Sequence, residues 1–260
     1  LHKWAMPIMI VGTIVLTFGA LSIVWFEWAH TTIYVGSVFV MFSALLYVIY
    51  SWDKLIREGT ADIEKPNFFH KIKALTNDPL KFGSGWQMVF MNFTVSGVGI
   101  FMAIKLEEIF RVWPHREERI TLTGHWHILS GLIATIILFY FIDLSGVKGK
   151  ARKWAGWVII IGSDLAFGAA TIFSMKRLFV TDIAQQPLVN TTNLIIEFGL
   201  GAILVLLAIF LGWRLIDLFA KDGVWSNEFE AEKKANAKAD IEAQKQKLAE
   251  LQATLDEVSK

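Results

Sequence analysis

Two histidines stand two residues apart at the start of a long apolar run, in the stretch TGHWHILSG from Thr123 to Gly131. Each residue of an α-helix turns the chain by about 100°, so His125 and His127 project about 200° apart. Imidazoles placed in this way cannot readily bind one ion together, as a pair four residues apart can. The spacing therefore predicts two separate partners, one on each side of the helix.

The composition places this pair in a membrane. Hydrophobic residues make up 54% of the 260 residues, 11 are Trp, and the mean hydropathy is +0.48. This apolar share exceeds that of soluble domains, and a run of about 20 apolar residues can cross a membrane as a helix. We therefore expect an all-α integral membrane protein with six spans: Met6–Phe26, Thr32–Trp52, Trp86–Ile109, Leu122–Leu144, Ala155–Met175 and Leu194–Leu218.

The basic residues predict the orientation. The connections Trp52–Gly85 and Ser145–Trp154 are rich in Lys and Arg, and the positive-inside rule makes such connections cytoplasmic. We expect a multi-pass protein of the cytoplasmic (inner) membrane with both termini in the cytoplasm. The net charge of +1 carries little information, and no nucleic acid is expected as a partner. Four histidines then lie near the outer face at similar depth: His30, His115, His125 and His127.

Metal or haem ligation is the chemistry that these histidines favour. The chain has no Cys, which excludes disulfides, thiolate metal sites, iron–sulfur clusters and covalent haem attachment. A lone histidine at a helix end is more often interfacial than a ligand. However, ionisable groups inside lipid are costly and usually face a pathway or a cofactor, and imidazole is a common ligand of haem and metals. Four histidines at one depth therefore favour a haem or metal site in the outer third of the membrane.

Other polar residues leave alternatives open. Glu27 and Asp164 are candidates for proton relay, although snorkelling of a helix-end side chain explains Glu27 almost as well. Lys176 and Arg177 begin an external connection. They are either charge-assisted donors to haem propionates or ordinary interfacial cations.

The C-terminal tail differs from the rest of the chain. We expect a six-helix transmembrane domain over residues 1–225 and a charged cytoplasmic helical tail over 226–260, where Ala, Glu, Lys and Gln dominate and favour helix. Apolar residues recur at spacings close to those of a coiled coil. They predict contact with a partner, the alternative being a single solvated helix, and they are Ile241, Leu248, Leu251, Leu255 and Val258.

These motifs together resemble the C-terminal half of the catalytic subunit of the haem–copper oxidase superfamily, from the seventh to the twelfth helix. In that family the tenth helix opens with His–aromatic–His, which GHWHILS (Gly124 to Ser130) matches. The resemblance implies that His125 binds a high-spin haem that reacts with the substrate, and that His127 binds a low-spin haem. It covers about Ala5 to Trp213.

Three further segments are similar to the family. WAHTTIYVG (Trp28 to Gly36) resembles the end of its seventh helix, FTVSGVGI (Phe93 to Ile100) its ninth, and SMKR (Ser174 to Arg177) the loop after its eleventh. The resemblance implies that His30 is a ligand of the second metal beside the high-spin haem. It also implies that Lys176 and Arg177 hold haem propionates.

The chain departs from the family at several places. Thr31 replaces the second histidine of a copper-binding pair, so Glu27 becomes a candidate carboxylate ligand for an altered site that holds copper or iron. The family's proton-channel Lys has no counterpart, and Glu117 and Glu118 stand where the family has a His–Asp pair. The family's first six helices, which carry the remaining ligands, are missing.

The resemblance thus implies one part of a divided catalytic subunit of a respiratory terminal oxidase, that is, a subunit of an oxidoreductase. Its cofactors would be a low-spin and a high-spin haem. Its partners would be membrane subunits that supply the other helices, and an electron donor such as cytochrome c, a copper protein or quinol. The alternatives are a nitric oxide reductase of the same superfamily, a haem b membrane anchor of a quinol-linked complex, and a haem-free structural subunit.

Overall fold

The computed structural model describes residues 2–22, 25–26, 28–181 and 185–220, with short helical stretches between 231 and 246. All regular structure in these ranges is helical, and six of the helices are long and apolar enough to cross a membrane. The prediction of an all-α, multi-pass membrane protein is therefore confirmed. The helices are α1 (His2–Ser22), α2 (Ala29–Gly59), α3 (Phe68–Thr76), α4 (Pro79–Met91), α5 (Val98–Ile104), α6 (His115–Leu144), α7 (Gly149–Ser174) and α8 (Gln185–Phe219).

The third span is a composite of helices. A π-helical segment, Asn92–Gly97, joins α4 to α5, and a second one, Leu106–Phe110, follows α5. Together α4, the first π segment and α5 form one apolar span over Pro79–Ile104. A π turn holds one residue more than an α turn, so the residues of α5 face other directions than an unbroken α-helix would give them.

The predicted ends of the spans differ from the ends of the helices. The third span begins at Pro79 and not at Trp86, α2 continues past Trp52 to Gly59, and α1 already ends at Ser22. An apolar run marks only the part of a helix that crosses the hydrocarbon, whereas polar residues can continue the same helix into water.

Helices α1 and α2 form a closely packed hairpin. A Cβ atom added to Gly12 would lie 2.8 Å from Cβ of Phe39, and one added to Gly19 would lie 2.9 Å from the backbone nitrogen of Ile33. The buried hydroxyl of Ser43 donates to the carbonyl of Ala5 over 2.6 Å. Small residues at such an interface let the two backbones approach, which is how helices associate within lipid.

A second packing centre joins the π-helical segment Asn92–Gly97, α6 and α7. Its buried residues are Val95, Ile128, Leu132 and Phe167. Gly131 of α6 lies under the ring of Phe167, where a Cβ atom would meet the ring carbon Cζ at 2.6 Å. This contact fixes α6, the helix that carries the paired histidines, against α7.

One arginine joins three helices at the basic end of the bundle. Arg152, near the start of α7, donates from Nη2 to Asp78 over 2.8 Å, at the N-cap of α4. The same nitrogen lies 2.5 Å from Oδ1 of Asp143, near the end of α6. Because both carboxylates depend on this one guanidinium, its loss would leave two like charges facing each other.

The chain divides by its internal contacts into Leu1–Leu204 and Val205–Lys260. In the second unit, Arg214 donates to Asp217 over 3.2 Å and lies 4.5 Å from the ring centre of Trp213. The predicted boundary at residue 225 lies outside the described residues. So does the predicted apolar stripe of the tail except for Ile241, which is helical and exposed.

Replacing Arg152 by Met should lower the apparent melting temperature of the purified protein by about 2–4 °C, since partly exposed ion pairs are worth about 1 kcal/mol. Lys150→Met is the matched control, because Lys150 lies two residues away and is exposed. Thermal unfolding followed by circular dichroism checks both variants. Equal melting temperatures for the two variants would contradict the role of Arg152 in joining the three helices.

Candidate functional site

His127 has the geometry of a histidine that is ready to bind iron or a metal. Its side chain is exposed on α6, and its Nδ1 lies 2.7 Å from the carbonyl oxygen of Thr123, four residues earlier. A carbonyl oxygen only accepts hydrogen bonds, so Nδ1 carries the proton and Nε2 keeps its lone pair. Ligand histidines are commonly held in this way, with one ring nitrogen bonded to a carbonyl and the other facing the metal.

Within the described part of the chain, the surface of α6 around His127 is exposed. Thr123 and Ser130 are exposed on the same side of α6, and Trp126 keeps 66% of its surface. The hydroxyls of Thr123 and Ser130 donate to carbonyls of their own helix. The Nε2 atom of His127 is therefore the polar atom of this face that still needs a partner within the span.

His125 faces the inside of the bundle. Its ring is half-buried, and a Cβ atom added to Gly99 of α5 would lie 2.9 Å from both Cε1 and Nε2 of the imidazole. The ring edge that carries Nε2 thus rests on the bare backbone of α5. Gly99 provides the room for the imidazole, and a haem iron on Nε2 would require a wider separation of α5 and α6.

The two imidazoles therefore occupy different environments, one packed against α5 and one exposed. A spacing of two residues on a continuous helix produces this division. Each ring could serve a partner of its own, and the exposed ring needs no rearrangement of its helix to do so.

The predicted second metal site falls largely outside the described residues. His30 lies in the first turn of α2, but its side chain is not described, and neither is any part of Glu27. Among the described His, Asp and Glu residues, no three lie close enough to hold a metal ion together. The assignment of His30 and Glu27 to a metal stays a prediction.

Lys176 has a carboxylate partner in its own chain. It is buried, pairs with Glu117 at the start of α6, and lies 5.3 Å from the ring centre of Phe173. Arg177 follows it in the same turn and is half-buried. That both residues donate to propionates stays a prediction, and for Lys176 it would require exchange of one carboxylate for another.

This ion pair holds the His125 end of α6 against the end of α7. Beside it, the hydroxyl of Thr121 donates to the carbonyl of Ser174 over 2.7 Å. Glu117 comes shortly before the predicted fourth span and Lys176 directly after the fifth, so the predicted topology puts opposite charges at the same membrane face, a signal that could have predicted the pair.

A polar cluster lies deeper in the bundle, between α4 and α7. Trp86 donates from Nε1 to Oδ2 of Asp164 over 2.7 Å. Gln87 donates from Nε2 to Oδ1 of Asp164 over 2.8 Å and to Oγ of Ser163 over 2.7 Å. Asp164 was a candidate from the sequence, whereas its partners were missed because Trp86 and Gln87, the first two residues of the predicted third span, look like the interfacial end of an apolar run.

Comparison of the chain with protein-family models, curated proteins and solved structures found no match. The fold defines the class, an all-α membrane protein that crosses the membrane several times. What the protein binds has to be inferred from its own residues.

Replacing Gly99 by Ala should destabilise the protein by about 1–3 kcal/mol, since the new methyl group overlaps the His125 ring. In a His125→Ala background the same change should have little effect, because the ring is gone. A double-mutant cycle on thermal stability measures this coupling.

Gly97→Ala is the control for Gly99→Ala, because a Cβ atom there meets only the carbonyl oxygen of Asn92, at 3.5 Å. An equal loss of stability from Gly99→Ala with and without the His125 ring would refute the contact between them.

Proposed function

We propose that this chain is a haem-binding part of a divided catalytic subunit of a respiratory oxidoreductase of the haem–copper type. A second membrane chain supplies the remaining ligands. The reaction proposed is the reduction of oxygen; His125 would hold the haem of the reacting site and His127 the haem of the electron-transfer site. Bound haem supplies the redox chemistry, and this chain supplies the axial imidazoles and their orientation.

The observation that carries the proposal is the hydrogen bond of His127. Its Nδ1 proton is held by the carbonyl of Thr123 at 2.7 Å, so the ring cannot rotate freely and Nε2 keeps a fixed direction away from the helix. A haem ligand benefits from this restraint, because the iron meets a ring already in the correct tautomer and orientation.

The need for a partner chain follows from the same face of α6. His127 would provide one ligand of a low-spin haem, and a second ligand would have to come from another protein surface. Within a bilayer, the polar atom Nε2 and the polar residues around it are costly unless protein or cofactor covers them. A partner that brings the second ligand and packs over Trp126 meets both needs.

His125 supports the high-spin site less directly. Its ring is partly shielded and lies on Gly99, an arrangement that favours a reactive centre inside the protein. Nε2 of His125 could bind a haem there only if α5 moved outward. The π-helical segment before α5 favours such a movement, because π-helical segments interrupt regular helix packing and often lie at functional sites.

Replacing His127 by Leu should abolish one haem per complex, as measured by pyridine haemochrome analysis of the complex purified from its membranes. His70→Leu is the control, because His70 lies in the exposed short helix α3, and this variant should keep full haem content. Retention of all haem in the His127 variant at normal complex yield would refute the proposal.

A membrane anchor with a single electron-transferring haem is the second candidate, and the contact of His125 with Gly99 favours it. In that function His127 is the member of the pair that binds iron, with His30 as the candidate for the other ligand, so His125→Ala leaves the haem content unchanged. In the catalytic function His125→Ala loses the second haem and keeps the one at His127.

A further inference from the structure

The short helix α3 exposes an apolar face within the described part of the chain. Phe68, Phe69 and Ile72 keep 68%, 76% and 42% of their surface. The rings of Phe68 and Phe69 lie edge to face, with their centres 5.9 Å apart, and none of the residues of α3 is buried. Apolar surface of this kind, outside the membrane-crossing helices, marks a site of interaction with protein or membrane.

The apolar face of α3 points away from α2. On its other side α3 packs against the end of α2, where a Cβ atom added to Gly59 would lie 2.6 Å from Cβ of Ala74. At about 100° per residue, Ala74 lies about 160° around the helix from Ile72 and about 120° from Phe68. Helix α3 is therefore held to α2 on one side and bears its exposed apolar residues on the other.

Both neighbours of α3 in the chain are helices that can cross a membrane. Gly59 is the last residue of one candidate span, and Pro79 is the first residue of the next. Helix α3 ends at Thr76, and the chain from Thr76 to Pro79 can extend over about 10 Å at most. The contact at one end and the short connection at the other hold α3 close to the level where the hydrocarbon meets the lipid headgroups.

The segment that contains α3 is basic. Residues 65–77 include Lys65, Lys71 and Lys73 and no Asp or Glu, and all three lysines are exposed. Lys71 and Lys73 flank the apolar face, since each lies about 100° around the helix from Ile72, in opposite directions. The stem of a lysine can follow apolar surface while its ammonium group reaches a polar layer. An apolar face edged by lysines is typical of helices that lie in the surface of an anionic membrane.

The size and the charge of this face favour lipid over a partner protein. A stable protein interface buries about 800 Å² on each side and has few lysines at its centre. Two exposed Phe and one Ile offer at most roughly half of that area. The bilayer is already beside α3, and it supplies both the acyl chains that the rings need and the phosphates that the lysines need.

We propose that α3 lies in the membrane surface and binds anionic phospholipids. The face formed by Phe68, Phe69 and Ile72 enters the outer part of the acyl chains. Lys71 and Lys73 bind lipid phosphates as charge-assisted donors. This contact fixes the connection between α2 and α4 to the membrane, and it does not depend on haem.

A fluorescent label on one cysteine tests both parts of the proposal, because the chain has no Cys of its own. The complex that contains Phe68→Cys carries a bimane label and is placed in vesicles of phosphatidylcholine and phosphatidylglycerol in equal amounts. The complex with the unsubstituted chain gives the blank for cysteines of other subunits. Bromine atoms on the acyl chains of one of the two lipids quench a label that they touch.

We expect both brominated lipids to quench the label at position 68, and brominated phosphatidylglycerol to quench it about fivefold more, which corresponds to the attraction of one lysine for an anionic surface. His70→Cys is the control for depth, because His70 is exposed and lies about 200° around the helix from Phe68. A label there should escape quenching. A label at position 68 that neither lipid quenches, as contact with water or with a partner protein would give, would overturn the proposal.

The lysines are tested with the same label. Lys71→Gln together with Lys73→Gln should bring the quenching by the two brominated lipids close to equality. Lys148→Gln together with Lys150→Gln is the matched control, because these two exposed lysines belong to the connection between α6 and α7, and this variant should keep the preference. An equal preference for phosphatidylglycerol in both double variants, or no preference in the unaltered chain, would refute the binding of anionic lipid by α3.

Discussion

A polar atom inside a bilayer must have a partner, and the arrangement of this protein follows from that constraint. Most hydroxyls of the spans donate to carbonyls of their own helices, as those of Thr94 and Thr135 do. The Asp164 carboxylate is satisfied by side chains of another helix. Among the described residues, the Nε2 atom of His127 still needs a partner, and the proposed chemistry lies there.

The paired histidines show how one helix can serve two environments. The inner ring has Gly99 and α5 as neighbours, whereas the outer ring is oriented by its own helix and exposed. The helix is held on both sides of this pair, by Phe167 over Gly131 and by the ion pair of Glu117 with Lys176. A ligand on a helix fixed in this way keeps its position when another subunit or a cofactor binds.

The sequence predicted the fold because hydrophobic length is set by the thickness of the bilayer. It also predicted the opposite directions of His125 and His127, since that follows from helical geometry. It could not predict the π-helical segment before α5, which no spacing of apolar or polar residues marks. The partners of Asp164 were missed for a simpler reason: Gln87 lies where a polar residue looks like the end of an apolar run.

The most direct test is a reduced-minus-oxidised optical spectrum of the complex purified from its native membrane, recorded with and without carbon monoxide. The predicted result is a low-spin haem whose spectrum does not change with carbon monoxide, together with a second haem whose spectrum carbon monoxide shifts. A complex that contains this chain in full amount and has no haem signal would contradict the account.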